Sequence, residues 1–130
     1  MSSAKPTRAQ IQNPTTHYGR ARASTRHFIT QRVTGALNIV FTLFIVWFVV
    51  SLAGKAPAEM VALAANPFVA IGLAALVINV AIHMRNGMRD VIEDYFDAGE
   101  HGLAMLANNL FTGFVLVVAL GAIAKLVFWG

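Results

Sequence analysis

Three long apolar runs, separated by short polar stretches, follow a basic N-terminal segment. The first run, Val33 to Ala53, contains no charged residue. As an α-helix it would be about 31 Å long, which matches the hydrocarbon core of a bilayer. The run ends at Gly54 and Pro57, residue types that interrupt helices. The pattern therefore predicts a first transmembrane helix over approximately residues 30–53.

The second apolar run begins at Asn66 and Pro67, which suit the cap and the first position of a helix. Its uncharged part, Phe68 to Ile82, is shorter than the roughly 20 residues that cross a bilayer. The helix must therefore continue into the polar segment that follows, over approximately residues 67–95. This places His83 inside the membrane and not at its edge.

The third run predicts a helix over approximately residues 101–129. The first 30 residues contain basic but no acidic side chains: Lys5, Arg8, Arg20, Arg22 and Arg26. With its prolines this segment cannot build a core, so we expect it to be extended. We divide the chain into a basic segment over residues 1–24 and a three-helix domain over residues 25–130. The positive-inside rule then predicts a cytoplasmic N-terminus and a periplasmic C-terminus.

Composition supports a membrane protein. The chain is 57% hydrophobic and 12% charged, against about 25% charged in typical soluble domains. Cysteine is absent, which excludes disulfides, thiolate zinc sites and an iron–sulfur cluster ligated by this chain itself. The positive charges crowd one end without the interleaved aromatics of a nucleic-acid surface. We therefore predict an all-α membrane protein that does not bind nucleic acid.

A polar stripe marks the second helix. At about 100° per residue, a helix brings several polar or small residues to one face: Asn79, His83, Gly87, Asp90 and Asp94. The imidazole of His83 and the carboxylate of Asp94 would lie about 16 Å apart along the axis. That separation is too large for one reaction centre and indicates two sites. In the first helix Thr34, Asn38 and Thr42 form a similar stripe, for which helix packing is the ordinary explanation.

His83 has two interpretations that the residues alone leave open. An ionisable residue within a membrane helix is a functional candidate, and imidazole is a common metal ligand. Alternatively, a neutral histidine is hydrogen-bonded to a neighbouring helix. If His83 binds haem, the second axial ligand must come from a partner chain, because the remaining histidines lie outside the apolar cores: His17, His27 and His101.

The acidic cluster after His83 is also open to two interpretations. A solvated charge run is the usual explanation of such residues: Asp90, Glu93, Asp94 and Asp97. Asp94 differs because it shares the His83 face and precedes Tyr95. A phenol can donate a hydrogen bond to a carbonyl oxygen, and a neighbouring carboxylate can position a proton. The pair would suit reduction of a quinone at the membrane surface.

Two segments resemble the hydrophobic membrane anchor subunits of succinate dehydrogenase, in particular the smaller of the two cytochrome b anchors. They are His83-x-x-x-Gly87-Met88-x-x-Val91-Ile92-Glu93-Asp94-Tyr95 and Gln31-Arg32-Val33-Thr34-Gly35. The resemblance implies that His83 is one axial ligand of haem b, with a histidine of the sister three-helix anchor on the other face. It also implies that Tyr95 hydrogen-bonds a ubiquinone carbonyl beside Asp94, and that Arg32 supports the haem and quinone electrostatically.

The resemblance further implies a membrane subunit of respiratory complex II that does not itself bind succinate. Its partners would be an FAD-containing flavoprotein that oxidises succinate, an iron–sulfur subunit, the sister anchor and membrane lipid, in a bacterial inner membrane rather than a mitochondrial one. Two alternatives belong to other classes. One is a small subunit that conducts protons or ions along the polar stripe, and the other is an inert anchor or assembly protein.

Overall fold

The structure is a computed structural model that describes Arg8 and residues 14–130, with side chains at Arg8 and from Ser24 onward. These residues form four helices: α1 (Pro14–Leu52), α2 (Pro57–Ala65), α3 (Pro67–Tyr95) and α4 (Ala98–Trp129). Three segments are long and apolar enough to cross a membrane: Ser24–Leu52, Pro67–Tyr95 and Ala98–Trp129. The prediction of an all-α protein with three membrane-crossing helices is confirmed.

Helix α1 begins earlier than its apolar run. It is helical from Pro14, so the expectation of extended chain is wrong for residues 14–30. Proline is favoured at the first turn of a helix, and extending an existing helix costs far less than nucleating a new one. Residues 1–7 and 9–13 lie outside the described residues, and a domain boundary at residue 25 stays a prediction.

The short connection between α1 and α3 is built by local hydrogen bonds. Gly54 takes a positive φ of 74°, a conformation that glycine adopts without steric cost. The Glu59 carboxylate accepts a hydrogen bond from the Ala56 N–H at 3.1 Å, which holds the first turn of α2. The Asn66 side chain accepts from the Phe68 N–H at 3.0 Å, with Pro67 at the first position of α3. The predicted helix start at Asn66 and Pro67 is thus confirmed.

Helix α3 is the central element, because it packs against both α1 and α4. Its most enclosed apolar side chains are Ala81, which is 1% exposed, and Ile92, which is 3% exposed. In the most apolar stretches of α1 and α4 only 6% of the residues are buried, against 22% in α3, as expected for outer helices surrounded by lipid or by another membrane subunit. Residues on α3 are therefore the best placed to form an internal site.

A close contact between α1 and α3 gives a test of this packing. A Cβ added to Gly72 would lie 2.7 Å from Cζ of Phe44. We expect Gly72→Ala to cost roughly 1–3 kcal/mol through overpacking, and to lower the thermal unfolding midpoint in mild detergent. Gly113→Ala is the matched control, since nothing lies within 4 Å of its added Cβ. Equal midpoints for the two variants would contradict the α1–α3 packing.

Candidate functional site

Polar residues of α1 and α3 meet in successive layers, which we call the polar seam. The layers pair His27 with Asp90, Gln31 with Gly87, Thr34 with His83, and Asn38 with Asn79. Spacings of three and four residues keep side chains on one face of a helix, and in antiparallel helices the two series run in opposite directions. The α3 stripe predicted from the sequence therefore faces α1 at Asn79, His83, Gly87 and Asp90.

The His83 layer lies near the middle of the seam. The imidazole Nδ1 is 3.1 Å from the hydroxyl oxygen of Thr34, a residue that is only 6% exposed. A Cβ added to Gly35 would lie 3.5 Å from Cε1 of the ring, so α1 passes close to the imidazole. In the described part of the chain, the Thr34 hydroxyl is the hydrogen-bond partner of His83.

The next layer holds the two helices together through an amide. Asn79 is 7% exposed and donates to the carbonyl of Thr34 at 3.0 Å and to Oδ1 of Asn38 at 2.6 Å. Interhelical bonds of this kind stabilise membrane helix pairs by about 0.6 to 1.7 kcal/mol each. Thr42 is exposed, and its hydroxyl donates to the Asn38 carbonyl of its own helix. The α1 stripe thus makes polar contacts with α3 at Thr34 and Asn38, whereas the Thr42 hydroxyl bonds within its own helix.

The layer nearest the end of α3 is an ion pair or charge-assisted hydrogen bond. Nε2 of His27 lies 2.7 Å from Oδ1 of Asp90, with 25% and 48% of the two side chains exposed. Sequence reasoning did not identify His27 as a partner of Asp90. The pair could have been found from the spacing of the residues. His27 lies seven residues before Thr34, and Asp90 lies seven residues after His83, so the antiparallel register that pairs Thr34 with His83 also brings His27 to Asp90.

A recess of about 470 Å³ opens beside the His83 layer. Its lining consists of Gln31, Arg32, Gly35, Ala36, Ile39 and His83. The Arg32 side chain is exposed, and its guanidinium carbon lies 5.1 Å from the centre of the Phe28 ring, within range of a cation–π contact. The structure therefore brings together two residues singled out from the sequence, His83 and Arg32.

The donor groups at this recess fit a haem better than a bare metal ion. Among the described residues no group of three or more His, Asp or Glu side chains could hold a metal. A single imidazole is sufficient for one axial position on a haem iron, and a guanidinium suits a propionate. In addition, Oε1 of Gln31 is buried without a hydrogen-bond partner in the described residues, and so could accept one from a bound group.

Asp94 and Tyr95 are not part of this recess. Both are exposed, Tyr95 by 81%, and they lie in the last turn of α3, about 16 Å along the axis from His83. The helix end itself is well fixed, because Ile92 is buried and its carbonyl accepts the Phe96 N–H at 3.1 Å. The structure therefore separates the candidate residues into an internal site and a surface site on one helix.

The arginines near His83 point away from the recess. Nε of Arg85 donates to Oδ1 of Asn109 at 2.7 Å, and the Arg85 carbonyl accepts from Asn108 at 3.0 Å. Arg85 therefore faces α4, on the side of α3 that does not contact α1. Arg89 pairs with Glu93 at 2.8 Å on the same helix. These contacts leave Arg32 as the cationic side chain that lines the recess.

Comparison with known proteins identifies the family. The family model described as succinate dehydrogenase/fumarate reductase transmembrane subunit matches residues 6–124. The chain belongs to this family. It is also 29% identical over 109 residues to the succinate dehydrogenase hydrophobic membrane anchor subunit of Paracoccus denitrificans, with 83% of this chain and 84% of that protein covered. No solved structure gives a significant match.

The family match includes the complete polar seam and residues 83–95. The resemblance inferred from the motifs is therefore confirmed at the level of the family. This transmembrane subunit is a multi-pass membrane protein of an oxidoreductase complex. The candidate residues His83, on one hand, and Asp94 with Tyr95, on the other, lie at two positions along the same helix.

Proposed function

We propose that this chain supplies one axial ligand of haem b and part of a ubiquinone site in a succinate dehydrogenase. The observation that carries the proposal is the setting of His83. It is held at Nδ1 by Thr34 and lines the same recess as Arg32, inside a membrane-crossing helix of a chain in this family. A histidine of the sister anchor subunit would complete the haem coordination on the other face.

The residues of the recess have distinct roles in this proposal. His83 would bind the haem iron through Nε2, because Nδ1 is engaged by Thr34. Arg32 pairs with a propionate through charge-assisted hydrogen bonds. When bound, the haem supplies a one-electron redox centre within the membrane. The α1–α3 contacts of the seam hold His83 and Arg32, which lie on different helices, at a fixed separation.

The surface site would act on the quinone. The Tyr95 phenol would donate a hydrogen bond to a ubiquinone carbonyl, and the neighbouring Asp94 carboxyl group could pass protons from water to the reduced quinone. Exposure of both side chains agrees with a site that is completed by other subunits. Electrons would come from an FAD-containing flavoprotein that oxidises succinate, through an iron–sulfur subunit, so this chain binds no succinate.

The proposed topology puts this surface site on the cytoplasmic side of a bacterial inner membrane. Cytoplasmic segments of membrane proteins are enriched in Lys and Arg. Arg26 and Arg32 of α1 and Arg89 of α3 lie towards the same side, because α1 and α3 are antiparallel and His27 meets Asp90. The C-terminus of α4 would then be periplasmic.

Purification of the tagged chain from its native membrane in mild detergent tests the proposed complex. We expect three further chains to co-purify: a flavoprotein with bound FAD, an iron–sulfur protein and a second hydrophobic anchor. Mass spectrometry and flavin fluorescence identify them. Recovery of the intact chain without flavin or an iron–sulfur protein would contradict the proposal and favour an anchor of another kind.

A further inference from the structure

The hydroxyl of Thr34 has one proton to donate, yet three possible hydrogen-bond partners lie within reach of its oxygen. Its oxygen lies 2.7 Å from the Thr30 carbonyl, 3.2 Å from the Gln31 carbonyl and 3.1 Å from Nδ1 of His83. A carbonyl oxygen can only accept a hydrogen bond, whereas a hydroxyl has one proton to donate and two lone pairs. The shortest of the three contacts is to a carbonyl, so the proton belongs there.

This assignment determines whether Nδ1 of the His83 imidazole donates or accepts its hydrogen bond. If the Thr34 proton is directed to the backbone of α1, the remaining contact requires Nδ1 of His83 to donate. A neutral imidazole with a proton on Nδ1 has a lone pair on Nε2, and the hydrogen bond at one nitrogen determines which nitrogen is free to bind a metal. The Thr34 backbone is itself fixed, because Asn79 donates to its carbonyl at 3.0 Å.

We propose that Thr34 is a positioning residue that holds His83 in the Nδ1-protonated tautomer and fixes the orientation of its ring. This inference rests on the proposed haem ligation by His83, and it adds a specific tuning role for α1. A metal-bound histidine whose other nitrogen donates a hydrogen bond is a more basic ligand. Thr34 therefore stabilises the ferric haem. It keeps the haem reduction potential lower than it would be with a histidine ligand that lacks this hydrogen bond.

Thr34→Val and Thr34→Ser in the purified complex test this role. Valine has nearly the shape of threonine but no hydroxyl, so we expect roughly 10-fold to 100-fold weaker haem retention and a more positive haem midpoint potential, read from α-band absorbance in a redox titration. Serine restores the hydroxyl and is expected to return both values towards wild type. Thr42→Val is the matched control, because Thr42 makes the same bond to its own helix but is exposed and does not contact His83.

The outcomes separate this inference from the proposed function. If His83→Ala keeps its haem, the ligand proposal itself fails. If His83→Ala loses haem while Thr34→Val keeps the wild-type potential and retention, only the role of Thr34 is wrong. Should Thr34→Val not assemble, the smaller Thr34→Ala decides in the same way: a wild-type potential overturns the inference, and a positive shift that serine reverses supports it.

Discussion

Tyr95→Phe and Asp94→Asn are each expected to lower succinate-dependent ubiquinone reduction by roughly 100-fold or more, the usual contribution of a positioned proton donor. Phenylalanine keeps the ring but removes the phenolic donor, and asparagine keeps the shape of the side chain but cannot ionise. Both side chains are exposed at the end of α3. Neither change should therefore alter the fold.

The measurement compares two electron acceptors on the same purified complex. Ubiquinone reduction reports on the surface site. Reduction of an artificial dye that accepts electrons directly from the flavoprotein or iron–sulfur subunit reports on those two subunits alone. We expect only the first rate to fall. Asp97→Asn is the control, since Asp97 is also exposed and makes no side-chain cap bond at the start of α4. Full ubiquinone reduction with both Tyr95→Phe and Asp94→Asn would instead support an inert anchor.

His83→Ala is expected to remove haem b from the complex. The substitution leaves one axial position without a ligand from this chain, and it also removes the partner of Thr34 within the seam. The expected result is a haem-to-flavin ratio close to zero after purification, against the ratio of the wild-type complex. The bonds between Asn79 and α1 remain, so α1 and α3 should still pack together.

His101→Ala is the control for the loss of a histidine. His101 lies in the first turns of α4 and is partly exposed, away from the recess residues. Its removal should leave the haem-to-flavin ratio unchanged. An equal loss of haem in both variants would indicate a general effect on assembly, and the assignment of His83 as a ligand would then lack support.

Much of the seam was predictable because helical periodicity is a local property. The spacing of Asn79, His83, Gly87 and Asp90 determines a common face once α3 is helical, and the length of the apolar run forces the helix past His83. The sequence could not show which helix this face contacts. That depends on the register between α1 and α3, which pairs residues far apart in the chain.

Two features could not be predicted from the sequence, for different physical reasons. The early start of α1 at Pro14 depends on propagation of helix from the apolar run, a cooperative effect that residue composition does not reveal. Asp94 belongs to the same face as His83 by periodicity, yet it is exposed. Burial requires a neighbour opposite the side chain. Continued from the His27–Asp90 pair, the α1–α3 register brings Asp94 towards Ser24, whose side chain is short and itself exposed.

If this chain ligates a haem within the membrane and is not only an anchor, the haem must depend on His83. The measurement is the visible difference spectrum of the anaerobic complex after addition of succinate, recorded for wild type and His83→Ala. We predict a reduced b-type haem spectrum in the wild type and its absence in His83→Ala, with flavin bleaching by succinate preserved in both. An unchanged haem spectrum in the variant would contradict the claim.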